Sequence, residues 1–475
     1  MFRFVSKNRS AILAGTGATV MGGYLFLRPK QHPDRIVIVG GGTGGIGVAA
    51  MLRNEDMKNV TLIEPKDVHY YQPLWTLCGG GVKNVSESAK PMKDILPKGT
   101  NWVQNKVESF QPTENKITTA DGKKIEYDYL VVAAGIETKF DQVPGLQEGL
   151  ESKDSGVVSI YDYNWADKTF KTFQRVSGSG AFGDKQKANY LFTFSPTVLK
   201  CAGAPQKIMW LLEDTLRSQG KRDQANITYW TPGGTMFGVK YYSDKLNKIR
   251  EDRGVEAKFK QQLVKIDPEN KVATFENVDT KEKVEQPFDM LHVAPHMYAP
   301  AFLQGSPLSD AKGFVDVDKH TMQSTKFSNV FALGDCTNTP NSKTAAAITS
   351  QAPVLVHNLR REIEGKKLDG FYTGYASCPL IISRGHTMLA EFGYGGRLME
   401  TFSRETGKFP LKYVGTDGDL QMRFFWILKE RLFPFVYWKL WTRGMWYGTN
   451  GPIKPAVIKK EEATTQPVLG ASSTK

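Results

Sequence analysis

Short apolar runs alternate with amphipathic stretches through most of the chain. Runs at 35–39, 60–63, 129–133 and 330–333 are rich in branched and aromatic residues, which is typical of strands buried in a parallel sheet. A helical pattern at 46–53 lies between the first two runs. This alternation of strand and helix predicts an α/β fold built on parallel sheets.

A second series of runs repeats the same order of strand and helix. Strands are predicted at 190–194 and 227–231, and helices at 203–218 and 238–253. The two series together predict two Rossmann-like three-layer domains of the FAD/NAD(P) type.

The first strand runs directly into a glycine-rich motif. Gly40, Gly42 and Gly45 fit the pattern G-x-G-x-x-G, with Thr43 inside it. These glycines allow a tight turn, close approach of a pyrophosphate and close packing of helix on strand. Glu64 ends the second strand 19 residues after Gly45, where a carboxylate can bind ribose hydroxyls. The spacing predicts a dinucleotide site.

Two later motifs favour FAD over NAD as the bound dinucleotide. One strand ends in Ala134-Gly135, and another ends in Gly334-Asp335 just before a predicted helix start at 344–348. These paired motifs resemble the glutathione-reductase-like FAD superfamily, in which the second returns the chain to the flavin. The resemblance adds the following expected cofactor-binding residues: Gly135, Asp335, Lys343, Ala345, Ala346, Ala347 and Ile348.

A second glycine motif, at 178–183, fits a nicotinamide site by letter but not by context. The preceding segment is not an apolar strand, and the following segment is not an apolar-faced helix. We interpret it as a surface loop. The second domain is therefore predicted to lack an NAD(P) glycine motif.

Four cysteines are present, and none forms a C-x-x-C pair, so a zinc site is not expected. Cys201 precedes a predicted helix with Pro205 in its first turn, and Lys200 and Lys207 are close in sequence. A helix start and nearby lysines lower the pKa of a thiol. Cys378 is expected to lie just ahead of a strand-like apolar run at 380–383. The residues alone leave each cysteine open between a buried apolar role and a redox role.

Longer motifs around these residues carry a more specific resemblance. Residues 69–81, 194–210, 334–348 and 375–396 resemble the eukaryotic mitochondrial sulfide:quinone oxidoreductases. The resemblance implies a redox-active pair of Cys201 and Cys378, with Cys78 and Cys336 as structural thiols. It also implies active-site lysines at Lys207 and Lys429, and flavin contacts at Gln72 and Val107.

The same resemblance implies the reaction and its partners. Hydrogen sulfide attacks the bridged cysteines, Cys378 becomes a persulfide and Cys201 leaves as a thiolate facing the flavin. The reverse assignment of the two cysteines stays open. FAD passes the electrons to ubiquinone, and the sulfane sulfur leaves to a small acceptor such as glutathione, sulfite or coenzyme A.

Both ends of the chain suggest a mitochondrial membrane location. Residues 1–33 contain five basic residues and no acid, which is typical of a mitochondrial presequence, although a membrane anchor stays possible. Residues 422–448 contain ten aromatic residues and five basic ones, and Pro434 is expected to divide two short helices. This C-terminal segment is predicted to lie on the inner membrane as a monotopic surface, with a buried helix pair or dimer interface as the alternative.

The predicted organisation follows from these segments. The FAD-binding domain is discontinuous, 34–150 and 310–365; the second domain spans 151–309, and 366–475 holds Cys378 and the quinone-facing surface. Neither a metal nor nucleic acid is expected, despite a net charge of +13, because no metal-ligand spacing or nucleic-acid motif occurs. Two other functions stay open: a type II NADH:quinone oxidoreductase, and a basic flavoprotein with a binding or scaffold role.

Overall fold

The computed structural model describes residues 34–178, 187–402 and 419–454, and for 419–421 only the backbone. Its first sheet has five parallel strands with Ile36–Val39 at the centre, so that the glycine motif leaves the middle of the sheet. The strands in spatial order are Val330–Ala332, Tyr129–Val132, Ile36–Val39, Val60–Ile63 and Asn101–Val103. The four predicted strands of this sheet are therefore observed.

Two helices pack on the first sheet and on each other, Thr43–Asn54 and Ala345–Ile363. The first begins three residues before the predicted start, because Gly44 and Gly45 already have helical backbone and are buried against the sheet. Because the helix starts directly after Gly42, the free N–H groups of its first turn lie next to the glycine loop.

The second sheet is also five-stranded and parallel, and four of its strands repeat the order found in the first; its fifth strand, Val157–Val158, comes first in the chain, whereas the corresponding strand of the first sheet, Val330–Ala332, comes last. Its strands in spatial order are Val157–Val158, Met290–His292, Ala188–Thr193, Ala225–Thr231 and Glu256–Phe259. Its helices are Tyr163–Ser177, Ala204–Ser218 and Lys240–Asp252. The turn between Ala188–Thr193 and Ala204–Ser218 therefore occupies the place that the glycine loop has in the first sheet.

Smaller antiparallel sheets and short helices complete the described fold. Two three-stranded sheets are Val107–Gln111, Lys116–Thr119, Lys124–Glu126 and Gln261–Asp267, Val272–Asn277, Lys283–Pro287. Three strand pairs are Val68–Tyr70 with Ala89–Pro91, Glu137–Lys139 with His296–Tyr298, and Ala376–Ser383 with His386–Phe392. The short α-helices are Trp75–Gly79, Met92–Ile95 and Leu146–Glu151.

One of these hairpins corrects an expectation about Cys378. The residue lies inside the strand Ala376–Ser383, paired with Ala390, and not ahead of a strand that begins at 380. Pro379 follows Cys378 within the same strand. A proline is tolerated there because both strands of a two-stranded hairpin are edge strands.

The C-terminal region corrects a second expectation. The helix Asp419–Ile427 continues through a π-helical turn, Leu428–Leu432, into the helix Phe433–Lys439. Pro434 therefore does not divide two helices. It lies in the first turn of the last helix, where the wider preceding turn accommodates a residue without an N–H group.

Some predicted features cannot be placed. The presequence or anchor at 1–33 and most of the glycine motif at 178–183 lie outside the described residues. In the part of the chain that the structure does describe, no helix is both long enough and apolar enough to cross a bilayer.

Candidate active site

The fold brings together two cysteines that are 177 positions apart. Cys201 Sγ lies 3.3 Å from Cys378 Sγ, and both thiols are free. Cys378 is buried in the hairpin, while Cys201 is half-buried in the turn before the helix Ala204–Ser218. Gly203 lets the two elements approach, because a Cβ at this position would lie 2.5 Å from Cys378 Sγ. The 3.3 Å between the two sulfur atoms would need only a small movement to close to a disulfide bond.

The backbone at Cys201 is held in a conformation that few non-glycine residues adopt. Its φ is +53°, and its N–H donates to Lys343 O at 2.7 Å. Left-handed residues of this kind concentrate at functional sites, where the surrounding structure enforces them. The bond also ties the cysteine turn to the residue just before Thr344, which caps the helix Ala345–Ile363.

Lys207 is the charged neighbour of the pair. Its ammonium is buried and donates to Cys201 Sγ at 3.1 Å. The hydrogen bond from Cys378 and the charge of Lys207 together hold the pKa of Cys201 well below its usual range. The same hydrogen bond and burial raise the pKa of Cys378. The pair is therefore polarised, with the negative charge on Cys201.

A second buried lysine stands nearby. Lys429 donates to Pro73 O at 2.7 Å, and burial, assisted by the charge of Lys207, lowers its pKa to about 7. Lys200, although adjacent to Cys201 in sequence, donates to Gln72 Oε1 at 3.3 Å. Of the two lysines that flank Cys201 in sequence, only Lys207 contacts the thiol.

The glycine motif forms a loop that no larger residue could make. Gly40 has a φ of +101°, and a Cβ at Gly45 would lie 1.8 Å from Gly40 O. A Cβ at Gly42, in contrast, would meet no atom of the described residues within 4 Å, which leaves this side of the loop available for a ligand. Glu64 Oε2 accepts from Gly41 N at 2.7 Å, which holds the carboxylate at the loop. The residues present fit the diphosphate and ribose of a dinucleotide.

The Gly-Asp motif supplies a second indication of a ligand. Asp335 Oδ1 is buried and has no hydrogen-bond partner among the described residues, and burial raises the pKa of the carboxyl. A buried carboxylate oxygen without a partner, just after the strand Val330–Ala332, fits a sugar or ribityl hydroxyl. Gly135 has a φ of +68°, and its Cβ position has no neighbour within 4 Å in the part of the chain that the structure describes.

The remaining predicted cofactor residues differ in what they can offer. Thr344 Oγ1 accepts from Ala347 N at 3.1 Å, which leaves the N–H groups of Ala345 and Ala346 as the free donors of the helix start. Ile348 N donates to Thr344 O. The Lys343 ammonium donates to the carbonyls of Thr337 and Thr339.

Two further predicted flavin contacts, Gln72 and Val107, belong to other elements than the glycine motif. Val107 is buried in an antiparallel strand, and Gln72 is exposed.

Cys78 and Cys336 are both buried, with pKa values raised by burial to about 12 and about 11. A raised pKa keeps these two thiols protonated and unreactive, in agreement with a structural role.

Sequence reasoning missed three polar residues of this region. His69 and Tyr437 are buried and hydrogen-bonded to each other, and Tyr161 has a buried hydroxyl without a partner among the described residues. Burial raises the pKa of Tyr161, and the charges of Cys201 and Cys378 add to that effect. His69 lies within the motif 69–81 and Tyr437 within the aromatic segment 422–448, whereas no local pattern marks Tyr161.

Comparison with known proteins identifies the family. The model of the pyridine nucleotide-disulphide oxidoreductase family matches residues 34–180 and 237–352. The mitochondrial sulfide:quinone oxidoreductase of Dictyostelium discoideum is 42% identical, covering 93% of this chain and 94% of that protein. The chain belongs to the sulfide:quinone oxidoreductase family. The mouse mitochondrial member is 40% identical, covering 91% of this chain and 90% of its own length.

A solved structure of the sulfide:quinone oxidoreductase family agrees with the fold. The enzyme from Aquifex aeolicus superposes with a TM-score of 0.63 at 22% identity, covering 76% of this chain and 84% of that chain. The resemblance inferred from the four long motifs is thus confirmed, and so is the α/β fold with parallel sheets. Within the described residues, the turn equivalent to a nicotinamide-binding glycine loop is the segment that carries Cys201.

Proposed function

We propose that this protein is an FAD-dependent sulfide:quinone oxidoreductase of mitochondria, and that Cys201 and Cys378 are its redox-active pair. The observation that carries the proposal is the 3.3 Å separation of the two thiols beside the buried ammonium of Lys207. The backbone hydrogen bond from Cys201 N to Lys343 O supports the proposal, because Lys343 and the start of the helix Ala345–Ile363 are predicted cofactor-binding residues.

The polarity of the pair assigns the two cysteines. In the oxidised enzyme, HS⁻ attacks Cys378 Sγ, and the bond to Cys201 Sγ breaks. The products are a persulfide on Cys378, which keeps the proton of HS⁻, and a thiolate on Cys201. Cys201 is the better leaving group because its thiol has the lower pKa, and Lys207 stabilises the resulting charge.

The remaining steps return the pair to its starting state. A small nucleophile such as glutathione, sulfite or coenzyme A takes the outer sulfur with its proton and leaves Cys378 as a thiolate. Loss of an electron pair from the two thiolates re-forms the disulfide. When bound, FAD would supply the acceptor for that electron pair and its route to a quinone, which takes up two protons from solvent on reduction. Gly42, Gly45, Glu64, Gly135 and Asp335 would hold this cofactor.

A membrane surface for the quinone is proposed at the C-terminal helices. Four exposed apolar side chains occur between 427 and 445: Ile427, Leu432, Phe435 and Met445. Exposed basic residues alternate with them: Arg431, Lys439 and Arg443. Apolar side chains inside a basic border are typical of a surface that lies in the headgroup region of an anionic bilayer, here the inner membrane.

Anaerobic titration of the purified flavoprotein with sulfide tests the redox proposal. Flavin absorbance should bleach in the wild type and recover on addition of a short-chain quinone, and Cys201→Ser and Cys378→Ser should each abolish bleaching. Cys78→Ala is the matched control, since Cys78 is buried outside the pair. Normal bleaching in either serine variant would refute the assignment, and rapid bleaching by NADH would instead support an NADH:quinone oxidoreductase.

Co-sedimentation with anionic vesicles tests the membrane surface. The double variant Leu432→Ser and Phe435→Ser should bind vesicles at least tenfold more weakly, because two side chains that are 41% and 55% exposed would lose their apolar contact with lipid. Val284→Ser removes a similarly exposed side chain from the second domain and should leave binding unchanged. Equal vesicle binding by all three proteins would rule the surface out.

A further inference from the structure

The C-terminal segment 433–443 contacts the glycine loop of the cofactor site from outside. Trp441 Nε1 donates to Thr43 O at 3.0 Å, and the Trp441 ring lies directly over Gly47. A Cβ at Gly47 would lie only 2.1 Å from that ring. The segment therefore packs against the first helix along a face that glycine keeps flat.

A continuous chain of hydrogen bonds joins this segment to the loop. His69 Nδ1 lies 2.9 Å from Gly41 O, and His69 Nε2 lies 2.6 Å from the Tyr437 hydroxyl. The Tyr437 hydroxyl in turn lies 2.9 Å from Thr43 Oγ1. The chain thus begins at Gly41 and ends at Thr43, two residues of the same glycine motif, with His69 and Tyr437 between them.

The chemistry of its ends fixes the direction of this chain. A carbonyl oxygen only accepts, so Nδ1 of His69 carries the proton and donates to Gly41 O. Burial lowers the pKa of His69 to about 4, so Nε2 is unprotonated and accepts from Tyr437. Since the Tyr437 hydrogen is used, Thr43 must donate to the Tyr437 oxygen. The Thr43 hydroxyl therefore cannot donate to a phosphate, and only its backbone N–H can.

Ring contacts hold Tyr437 in this position. Tyr71 stacks on Tyr437 with centroids 4.2 Å apart, and both side chains are buried. Phe435, two residues earlier on the same helix, is 55% exposed. The helix Phe433–Lys439 thus has an inner side on the glycine loop and an outer side at the surface.

We propose that the segment 433–443 is a cofactor clamp, and that the chain Thr43–Tyr437–His69–Gly41 makes retention of FAD depend on its docking. The inference rests on the proposed FAD site and adds His69, Tyr437 and Trp441 as positioning residues. They fix the loop whose N–H groups would bind the diphosphate. They belong, apart from His69, to the segment that carries the proposed membrane surface.

The rate of FAD release from the holoenzyme tests the clamp. Flavin fluorescence is followed after dilution into buffer without sulfide or quinone. Tyr437→Phe keeps the ring that stacks on Tyr71 but leaves Nε2 of His69 buried without a donor. FAD release should be about tenfold faster, which corresponds to about 1.4 kcal/mol. Trp441→Phe, which loses the bond to Thr43 O, should also release FAD faster.

Tyr447→Phe is the matched control, because Tyr447 is a half-buried tyrosine just beyond the clamp, and the hydrogen bonds that join the clamp to His69 and Thr43 within the described residues do not involve its hydroxyl. Its release rate should equal that of the wild type. A wild-type protein that bleaches with sulfide, combined with unchanged release from Tyr437→Phe and Trp441→Phe, would overturn the clamp and leave the proposed function standing. A wild-type protein that binds no FAD would overturn the proposed function itself.

Discussion

Replacing Lys207 by methionine should raise the pKa of Cys201 and weaken the polarity of the cysteine pair. The ammonium lies 3.1 Å from Cys201 Sγ and is 3% exposed, so solvent screens the interaction little. A hydrogen bond to a charged group contributes about 1.5–3 kcal/mol. Its loss lowers the ratio of thiolate to thiol by roughly ten- to hundredfold at a given pH. Methionine keeps most of the side-chain volume, so packing should change little.

The assay is alkylation of the reduced enzyme by iodoacetamide between pH 5 and 9, with the Cys201 peptide quantified by mass spectrometry. Only the thiolate reacts, so the profile of the Lys207→Met variant should move to higher pH. Lys200→Met is the matched control, because that ammonium donates to Gln72 and not to the thiol. An unchanged profile in Lys207→Met, or an equal displacement in Lys200→Met, would refute the electrostatic argument.

Three further substitutions test other parts of the structure. Gly203→Ala places a Cβ 2.5 Å from Cys378 Sγ, so it should slow disulfide formation at least tenfold in a thiol-titration assay, and normal oxidation would contradict the packing. Gly45→Ala forces a contact of 1.8 Å with Gly40 O, so the protein should purify without flavin by absorbance. His292 is buried with a pKa lowered to about 3 by burial, so the folded protein does not take up the proton that the unfolded chain binds below about pH 6.5. This group therefore does not lower the free energy of unfolding well above pH 6.5, and it lowers that free energy progressively as the pH falls from 6.5 toward 3. Urea unfolding of His292→Leu should therefore show about 2 kcal/mol less loss than the wild type between pH 7 and 5, and equal losses would show that this histidine does not titrate as described.

The sequence alone determined the local features of the cofactor site. The strand, the glycine motif and the start of the helix are contiguous, and their backbone conformations follow from the residues themselves. Gly40 and Gly45 occupy positions where a Cβ cannot fit, so their spacing identifies the turn without tertiary information. The sequence motifs around Cys201 and Cys378 resemble those of the sulfide:quinone oxidoreductases closely enough to identify the family, and the comparison with the Dictyostelium protein confirmed it.

The sequence placed some local boundaries less well. Cys378 was expected ahead of a strand and lies within one, because pairing with Ala390 extends the hairpin past Pro379. Pro434 was expected to divide two helices, but the π-helical turn before it absorbs the missing N–H group. In both cases the intrinsic preference of a proline predicts a break in the element, and contacts made by a neighbouring segment allow the element to continue.

Only the tertiary structure decided which distant groups meet. The approach of Cys201 to Cys378 depends on the packing of the helix Ala204–Ser218 against the hairpin, which no local pattern encodes. The contact of Tyr437 with His69 and Thr43 likewise joins residues more than 360 positions apart. The physical reason is that a turn or helix start is fixed by steric limits on neighbouring residues, whereas a polar contact between remote segments is fixed by the burial of whole apolar faces. Many different apolar side chains can form such a face. The sequence therefore shows that a segment has an apolar face but not which other segment packs against it.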